Sequence, residues 1–115
     1  MQGRFIGISL AAIAVGLLLG HTALAASVEN GKKKYVEVGC WGCHGYMAQG
    51  GIAGPKLAPD PMPQETFVTF VRTTNRTMPP YREPVLSDSD LADIYAYLQT
   101  IPKSPDPKSI PLLNQ

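Results

Sequence analysis

Cys40-Trp41-Gly42-Cys43-His44 is the pentapeptide that constrains this chain most strongly. Two cysteines three positions apart, followed directly by a histidine, are the attachment signature of a c-type haem. In that chemistry the two thiols add to the vinyl groups of the porphyrin, and the neighbouring imidazole binds the iron from one face. The motif therefore predicts one haem c, attached through Cys40 and Cys43, with His44 as an iron ligand.

Other uses of a Cys-x-x-Cys pair agree less well with the rest of the sequence. A zinc site of four cysteines needs a second pair, and the chain has only 2 cysteines. A site of two cysteines and two histidines also fails, because His44 is the only histidine outside the leader described below. A redox dithiol of the thioredoxin kind needs alternating strands and helices, which the pattern does not predict. A haem-free dithiol protein remains the alternative to a cytochrome.

Residues 1–25 have the features of a secretory signal peptide. Arg4 precedes an apolar run over residues 5–20, and Ala23-Leu24-Ala25 has small residues at both positions that a signal peptidase recognises. Cleavage after Ala25, or after the next residue, would release the remaining chain outside the cytoplasm. We therefore expect a periplasmic protein, and a membrane attachment only if the leader stays uncleaved as an anchor.

The charge balance excludes one large class of partners. The chain has a formal net charge of +1, so that removal of the leader with its single Arg4 leaves it neutral. No strongly basic region is present, and we expect no binding to nucleic acid. A domain this small buries a marginal core by itself, and we expect the haem to form the centre of that core.

Three helices are predicted from apolar periodicity. The first runs from Ser27 to Val38, and the second over residues 64–72. The third begins at Ser87, where a hydroxyl cap is followed by acidic residues, and ends before Pro102. Loops rich in glycine and proline separate these helices, and no stretch alternates as a strand does. The fold class is therefore all-α, with three main helices and long loops around one haem.

The domain is predicted to span residues 26–101, followed by a strap over residues 102–115. The strap contains four prolines, so we expect it to be extended and without regular structure. Its apolar residues Ile110, Leu112 and Leu113 are expected to pack back onto the domain, and contact with a partner is the alternative.

Residues 27–101 resemble the class I monohaem c-type cytochromes of bacteria, in which such domains are exported. The resemblance implies the cytochrome c fold, in which the first and last helices cross at a glycine of the first and an aromatic residue of the last. Here that implies Gly31 against Tyr97, with Tyr35 and Ile94 beside them. The segments that carry the resemblance are Cys40–His44, Gly54–Leu57, Met78–Tyr81 and Asp93–Leu98.

The second iron ligand is expected to be a methionine, because no second histidine follows the leader. Met47 follows His44 too closely to reach the opposite face of the ring. Met62 lies in a proline-rich turn, whereas Met78 follows a helix and a loop long enough to pass around the haem. The context of Met78 also resembles the ligand loop of the family, so Met78 is assigned and Met62 is kept as the alternative.

The resemblance implies one further role for a residue beside the haem. The Pro55 carbonyl would accept a hydrogen bond from the second ring nitrogen of His44, which fixes the imidazole tautomer. A separate hypothesis, which the resemblance does not carry, is that Arg72, Arg76 or Tyr81 meets a haem propionate.

A haem with both axial positions filled is suited to passing single electrons and not to transforming a substrate. We therefore expect an electron carrier and not an enzyme, either free or as the small cytochrome subunit of a dehydrogenase. Its donor would be a redox protein such as a dehydrogenase, and its acceptor an oxidase or reductase. The alternative is a five-coordinate haem protein with peroxidase or gas-sensing activity, which requires that Met78 does not bind iron.

Overall fold

The computed structural model describes residues 25–114, and every regular element in this range is helical. The predicted helices are confirmed as α1 (Val28–Glu37), α3 (Gln64–Thr73) and α4 (Asp88–Thr100). A short helix, α2 (Trp41–His44), was not predicted, and it contains most of the cysteine motif. The predicted signal peptide lies outside the described residues except for Ala25. No helix between residues 25 and 114 has both the length and the apolar character needed to cross a membrane.

Both long outer helices begin at a serine whose hydroxyl satisfies a free backbone N–H group. Ser27 Oγ accepts a hydrogen bond from the Asn30 N–H at 3.2 Å, and Ser87 Oγ accepts one from the Asp90 N–H at 3.1 Å. The Ser87 hydroxyl also donates to the Asp90 carboxylate at 2.9 Å. These bonds form the capping arrangement predicted for the start of α4.

Helices α1 and α4 pack with their backbones in contact at Gly31. A Cβ atom at this position would lie 1.9 Å from the carbonyl oxygen of Asp93. The backbone of α4 occupies the space facing Gly31, at the helix crossing that the family resemblance implies. Beside this crossing Tyr97 packs against Tyr35, with ring centroids 5.7 Å apart.

Polar groups join the start of α1 to α4 beside this contact. The backbone N–H of Ser27 donates to Asp93 Oδ1 at 2.6 Å. The side-chain amide of Asn30 donates to the carboxylates of Asp90, at 2.9 Å, and Asp93, at 2.7 Å. These charge-assisted bonds fix the relative position of the two helices.

The core lies between α1, α3 and α4, and two long loops complete it. Residues 45–63 form the first loop and residues 74–87 form the second loop. Helix α3 contacts α4 through Phe67 and Tyr95, whose ring centroids are 5.5 Å apart. The largest side chains that are fully buried are Tyr35, Leu86, Leu91, Ile94 and Leu98.

The C-terminal strap differs from the prediction. It contains two 3₁₀ turns, Pro107–Ser109 and Pro111–Leu113, because proline suits the first position of a helical turn. The Asn114 side chain holds the two turns together by donating to backbone carbonyls in the first of them and between them. Leu112 and Leu113 are 79% and 66% exposed, so the prediction that they pack back onto the domain was wrong.

Replacing Gly31 with alanine is expected to destabilise the folded protein by about 3 kcal/mol or more, because the new methyl group meets the α4 backbone. Guanidinium unfolding of the haem-loaded protein measures this change. Gly42→Ala is the matched control, because a Cβ atom there has no atom within 4 Å, and its effect should stay within about 0.5 kcal/mol. Equal stabilities of the two variants would contradict the close helix contact.

The Asp90 carboxyl makes the free energy of unfolding depend on pH in the acidic range. Hydrogen bonds from Asn30 and Ser87, and the nearby charge of Lys34, hold the pKa of the Asp90 carboxyl below its ordinary value of 3.8. A carboxyl whose pKa is lowered by folding stabilises the folded state at pH values above its ordinary pKa. This contribution is lost as the pH falls through the lowered pKa. Asp90→Asn should therefore cost about 1 kcal/mol at neutral pH and much less near about pH 2. Unfolding curves at both pH values measure the difference. Asp60→Asn, which replaces an exposed carboxyl, is the control.

Candidate cofactor site

A cavity of about 580 Å³ lies between the helices and the two loops. Cofactor and small-molecule sites typically measure about 300–1,000 Å³. The lining is mostly apolar, and Arg76 is the one residue between positions 25 and 114 that lines it with a formal charge at neutral pH. Apolar lining residues include Leu57, Phe67, Phe70, Val71, Leu86 and Leu91.

The cysteine motif supplies one wall of this cavity. Cys40, Cys43 and His44 all line it, because α2 turns the motif so that these side chains share one side. His44 is 7% exposed, whereas Cys43 lies at the surface. Burial raises the pKa of the Cys40 thiol to about 11. Both cysteines are free thiols, as covalent attachment of a porphyrin requires.

The imidazole of His44 is oriented by the first loop. Its Nδ1 lies 2.7 Å from the carbonyl oxygen of Pro55, which is the hydrogen bond that the family resemblance implies. A carbonyl can only accept, so Nδ1 carries the proton and Nε2 keeps a lone pair for a metal. Gly54 packs against the ring, since a Cβ atom there would lie 3.0 Å from two of its atoms.

Two tyrosines hold the start of the first loop in place. The Tyr35 hydroxyl donates to the Gly45 carbonyl at 2.8 Å, and the Tyr97 hydroxyl donates to the Tyr46 carbonyl at 3.2 Å. Burial raises the pKa of Tyr35, so this hydroxyl stays protonated as a donor. Sequence reasoning treated both tyrosines as packing residues only. Their phenol groups were the available signal, because a buried tyrosine hydroxyl usually requires a partner.

Each of the two loops contributes one methionine to the lining of the cavity. Met78 lines the cavity between Thr77 and Pro79, and it packs against the buried core. Met62 also lines the cavity but is 41% exposed, whereas Met47 is 52% exposed and is not part of the lining. The structure therefore brings Met78 and Met62 to the site and leaves Met47 out.

Of the three residues predicted to meet a propionate, Arg76 and Tyr81 line the cavity and Arg72 does not. The Arg72 guanidinium donates to the carbonyls of Tyr81 and Leu86, both at 2.7 Å. The Tyr81 hydroxyl donates to the Val38 carbonyl at 2.9 Å. Arg76 is the residue that remains available to an anionic group at the cavity.

The surface beside the exposed Cys43 is aromatic. Trp41 and Tyr46 stack with ring centroids 4.5 Å apart and an angle of 11° between their planes. They are 38% and 58% exposed. Lys56 is the only residue between positions 39 and 59 with a formal charge at neutral pH. The stacked pair therefore lies in a segment that is almost uncharged.

The donor set and the shape of the cavity fit an iron porphyrin. Histidine and methionine side chains line it, two free thiols lie at one edge, and the remaining lining is largely apolar. A bare metal ion fits less well, because residues 25–114 contain no cluster of three or more His, Cys, Asp or Glu side chains that could hold one. These residues would bind a flat apolar cofactor through an imidazole and two thioether links.

Comparison with protein families gives a match that covers the residues of the cavity. Residues 26–98, more than half of the chain, match the family model described as "Cytochrome C oxidase, cbb3-type, subunit III". The match includes the cysteine motif, both loops and most of α4. Searches of curated proteins and of solved structures returned no significant match.

Proposed function

The chain belongs to the family of c-type cytochrome domains described as cytochrome c oxidase, cbb3-type, subunit III, and we propose that it is a periplasmic carrier of single electrons. In this proposal one haem c is attached through Cys40 and Cys43, and its iron is bound by His44 and Met78. The observation that carries the proposal is the cavity in which the cysteine motif and a methionine of the second loop both line the walls.

The residues around the cavity suit electron transfer. When bound, the haem supplies an iron that changes its charge by one electron. His44 is held by Pro55 and would bind the iron through its other ring nitrogen, and Met78 would supply a sulfur ligand, which favours the reduced state relative to two nitrogen ligands. With both positions filled, no site is left open for a substrate. The apolar lining keeps water away, so the surroundings rearrange little when the charge changes.

Arg76 is proposed to pair with a haem propionate. It is the only lining residue with a formal charge, and it lies two residues before Met78 in the second loop. A guanidinium can bind a carboxylate through two parallel hydrogen bonds, which adds geometric specificity to the charge attraction. This pairing would hold the second loop against the edge of the cofactor.

Electrons would come from a redox protein such as a dehydrogenase and pass to an oxidase or reductase. The family description names an oxidase subunit, which supports an oxidase complex as one of these partners. Trp41 and Tyr46 are proposed as part of the contact surface, since they are exposed beside Cys43 at the edge where the haem is attached. Because this segment is almost uncharged, the association should depend weakly on ionic strength.

Met78→Ala is expected to abolish the sulfur-to-iron charge-transfer band of the oxidised protein and to lower its reduction potential, because the sulfur ligand is lost. The reduced variant should also bind carbon monoxide fully, whereas the wild type should bind almost none. Absorption spectra and a redox titration measure these changes. Met62→Ala is the matched control and should keep the band. The opposite result would assign Met62, and carbon monoxide binding by the wild type would favour the five-coordinate alternative.

Replacing both cysteines, Cys40→Ser with Cys43→Ser, is expected to abolish covalent attachment of the haem. Acid and organic solvent should then extract the haem completely from the variant and leave the wild type coloured after denaturation. The absorption of the protein fraction after extraction measures the difference. A wild-type protein that contains no iron would instead support the haem-free dithiol alternative.

A further inference from the structure

We propose that Arg72 is a positioning residue that keeps Met78 on the iron, although Arg72 is not part of the cavity lining. It acts through the backbone of the second loop, to which Met78 belongs. The inference rests on the proposed ligation by His44 and Met78. It assigns control of the strength of the iron–sulfur bond to a residue of α3.

The Arg72 guanidinium joins three parts of the chain. Its Nη1 donates to the carbonyl oxygens of Tyr81 and Leu86 at 2.7 Å each, and its Nη2 pairs with the Asp88 carboxylate at the start of α4. The side chain is only 17% exposed, so water competes weakly for these bonds. One side chain from α3 therefore determines the positions of both ends of the segment 81–86.

Tyr81 is the fixed point of the second loop. Besides the bond from Arg72 to its carbonyl, its N–H donates to the Val71 carbonyl at 2.9 Å and its hydroxyl donates to the Val38 carbonyl at 2.9 Å. At the other end of the loop, the Thr74 N–H donates to the last turn of α3. The chain that carries Met78 thus runs between two anchored residues.

The anchored span is short, which links the position of Tyr81 to that of Met78. Only residues 75–80 lie between the two anchors, and Met78 lies three residues before Tyr81. If the hydrogen bond from Arg72 to the Tyr81 carbonyl is lost, the loop gains conformations in which Met78 lies away from the cavity. The population with Met78 in place then falls, and a competing ligand binds with a higher apparent affinity.

Lysine cannot replace this arginine. The guanidinium donates in three directions from a planar fork, whereas an ammonium group is a point charge on a flexible stem. Arg72→Lys would keep the charge next to Asp88 but leave at least one of the two loop carbonyls without its donor. A hydrogen bond from a charged group to such a carbonyl contributes more than one between neutral groups.

The test uses imidazole as a competitor for the position of Met78 in the oxidised, haem-loaded protein. Arg72→Lys is expected to weaken the sulfur-to-iron band and to increase the affinity for imidazole about tenfold, the effect of losing one charge-assisted bond. Arg82→Lys is the matched control, because Arg82 is an exposed residue of the same loop. It should leave the band and the imidazole affinity at their wild-type values.

A second variant covers the case in which Arg72→Lys does not fold. Asp88→Asn removes the charged partner of the guanidinium at a residue whose side chain is 78% exposed, so the fold should tolerate it. We expect a smaller increase in imidazole affinity, about two- to threefold, because an exposed ion pair contributes little.

Three outcomes separate the possible failures. A wild type without the sulfur band overturns the assignment of Met78 and, with it, the role given to Arg72. The wild type can show the sulfur-to-iron band while Asp88→Asn and any folded Arg72→Lys protein keep the wild-type imidazole affinity. That result overturns the role of Arg72 alone. Lower unfolding stability without a change in imidazole affinity also overturns it, because a purely structural residue would have that effect.

Discussion

The contact between the Gly31 backbone and α4 is the constraint on which the rest of the structure depends. A larger residue there would hold α1 and α4 apart. At the observed separation Tyr35 and Tyr97 pack against each other, and each hydroxyl reaches a carbonyl at the start of the first loop. The position of the loop that follows His44 is therefore a consequence of how closely the two helices pack.

The end of α1 also holds the second loop, which lines the same cavity. The Val38 carbonyl accepts the hydrogen bond from Tyr81 of the second loop, and Cys40 of the motif follows two residues later. Both walls that carry proposed iron ligands are thus attached to one helix end. Arg72 adds a second attachment of the same loop to α3. Residues held in place by the helical framework would suit the proposed electron transfer, in which only the charge of the site changes.

Much of the fold was predictable because its signals are local. Apolar periodicity and the serine caps at residues 27 and 87 identified the helices α1, α3 and α4. The role of Arg72 was not predictable, because its partners are backbone carbonyls 9 and 14 residues away, and a carbonyl has no signature in the sequence. The prediction for the strap failed for a related reason. Apolar residues pack onto a domain only where its surface has space for them, and composition does not report that space.

The sequence by itself determined the motif of Cys40, Cys43 and His44, because covalent attachment depends on spacing within one turn of chain. It also predicted a methionine as the second ligand, since His44 is the only histidine after residue 25. Only the tertiary structure decided that Met62 and Met78 line the cavity while Met47 does not. It also decided that Pro55 orients the imidazole. These are contacts between distant parts of the chain, and they exist only after helix packing has brought the two loops to one cavity.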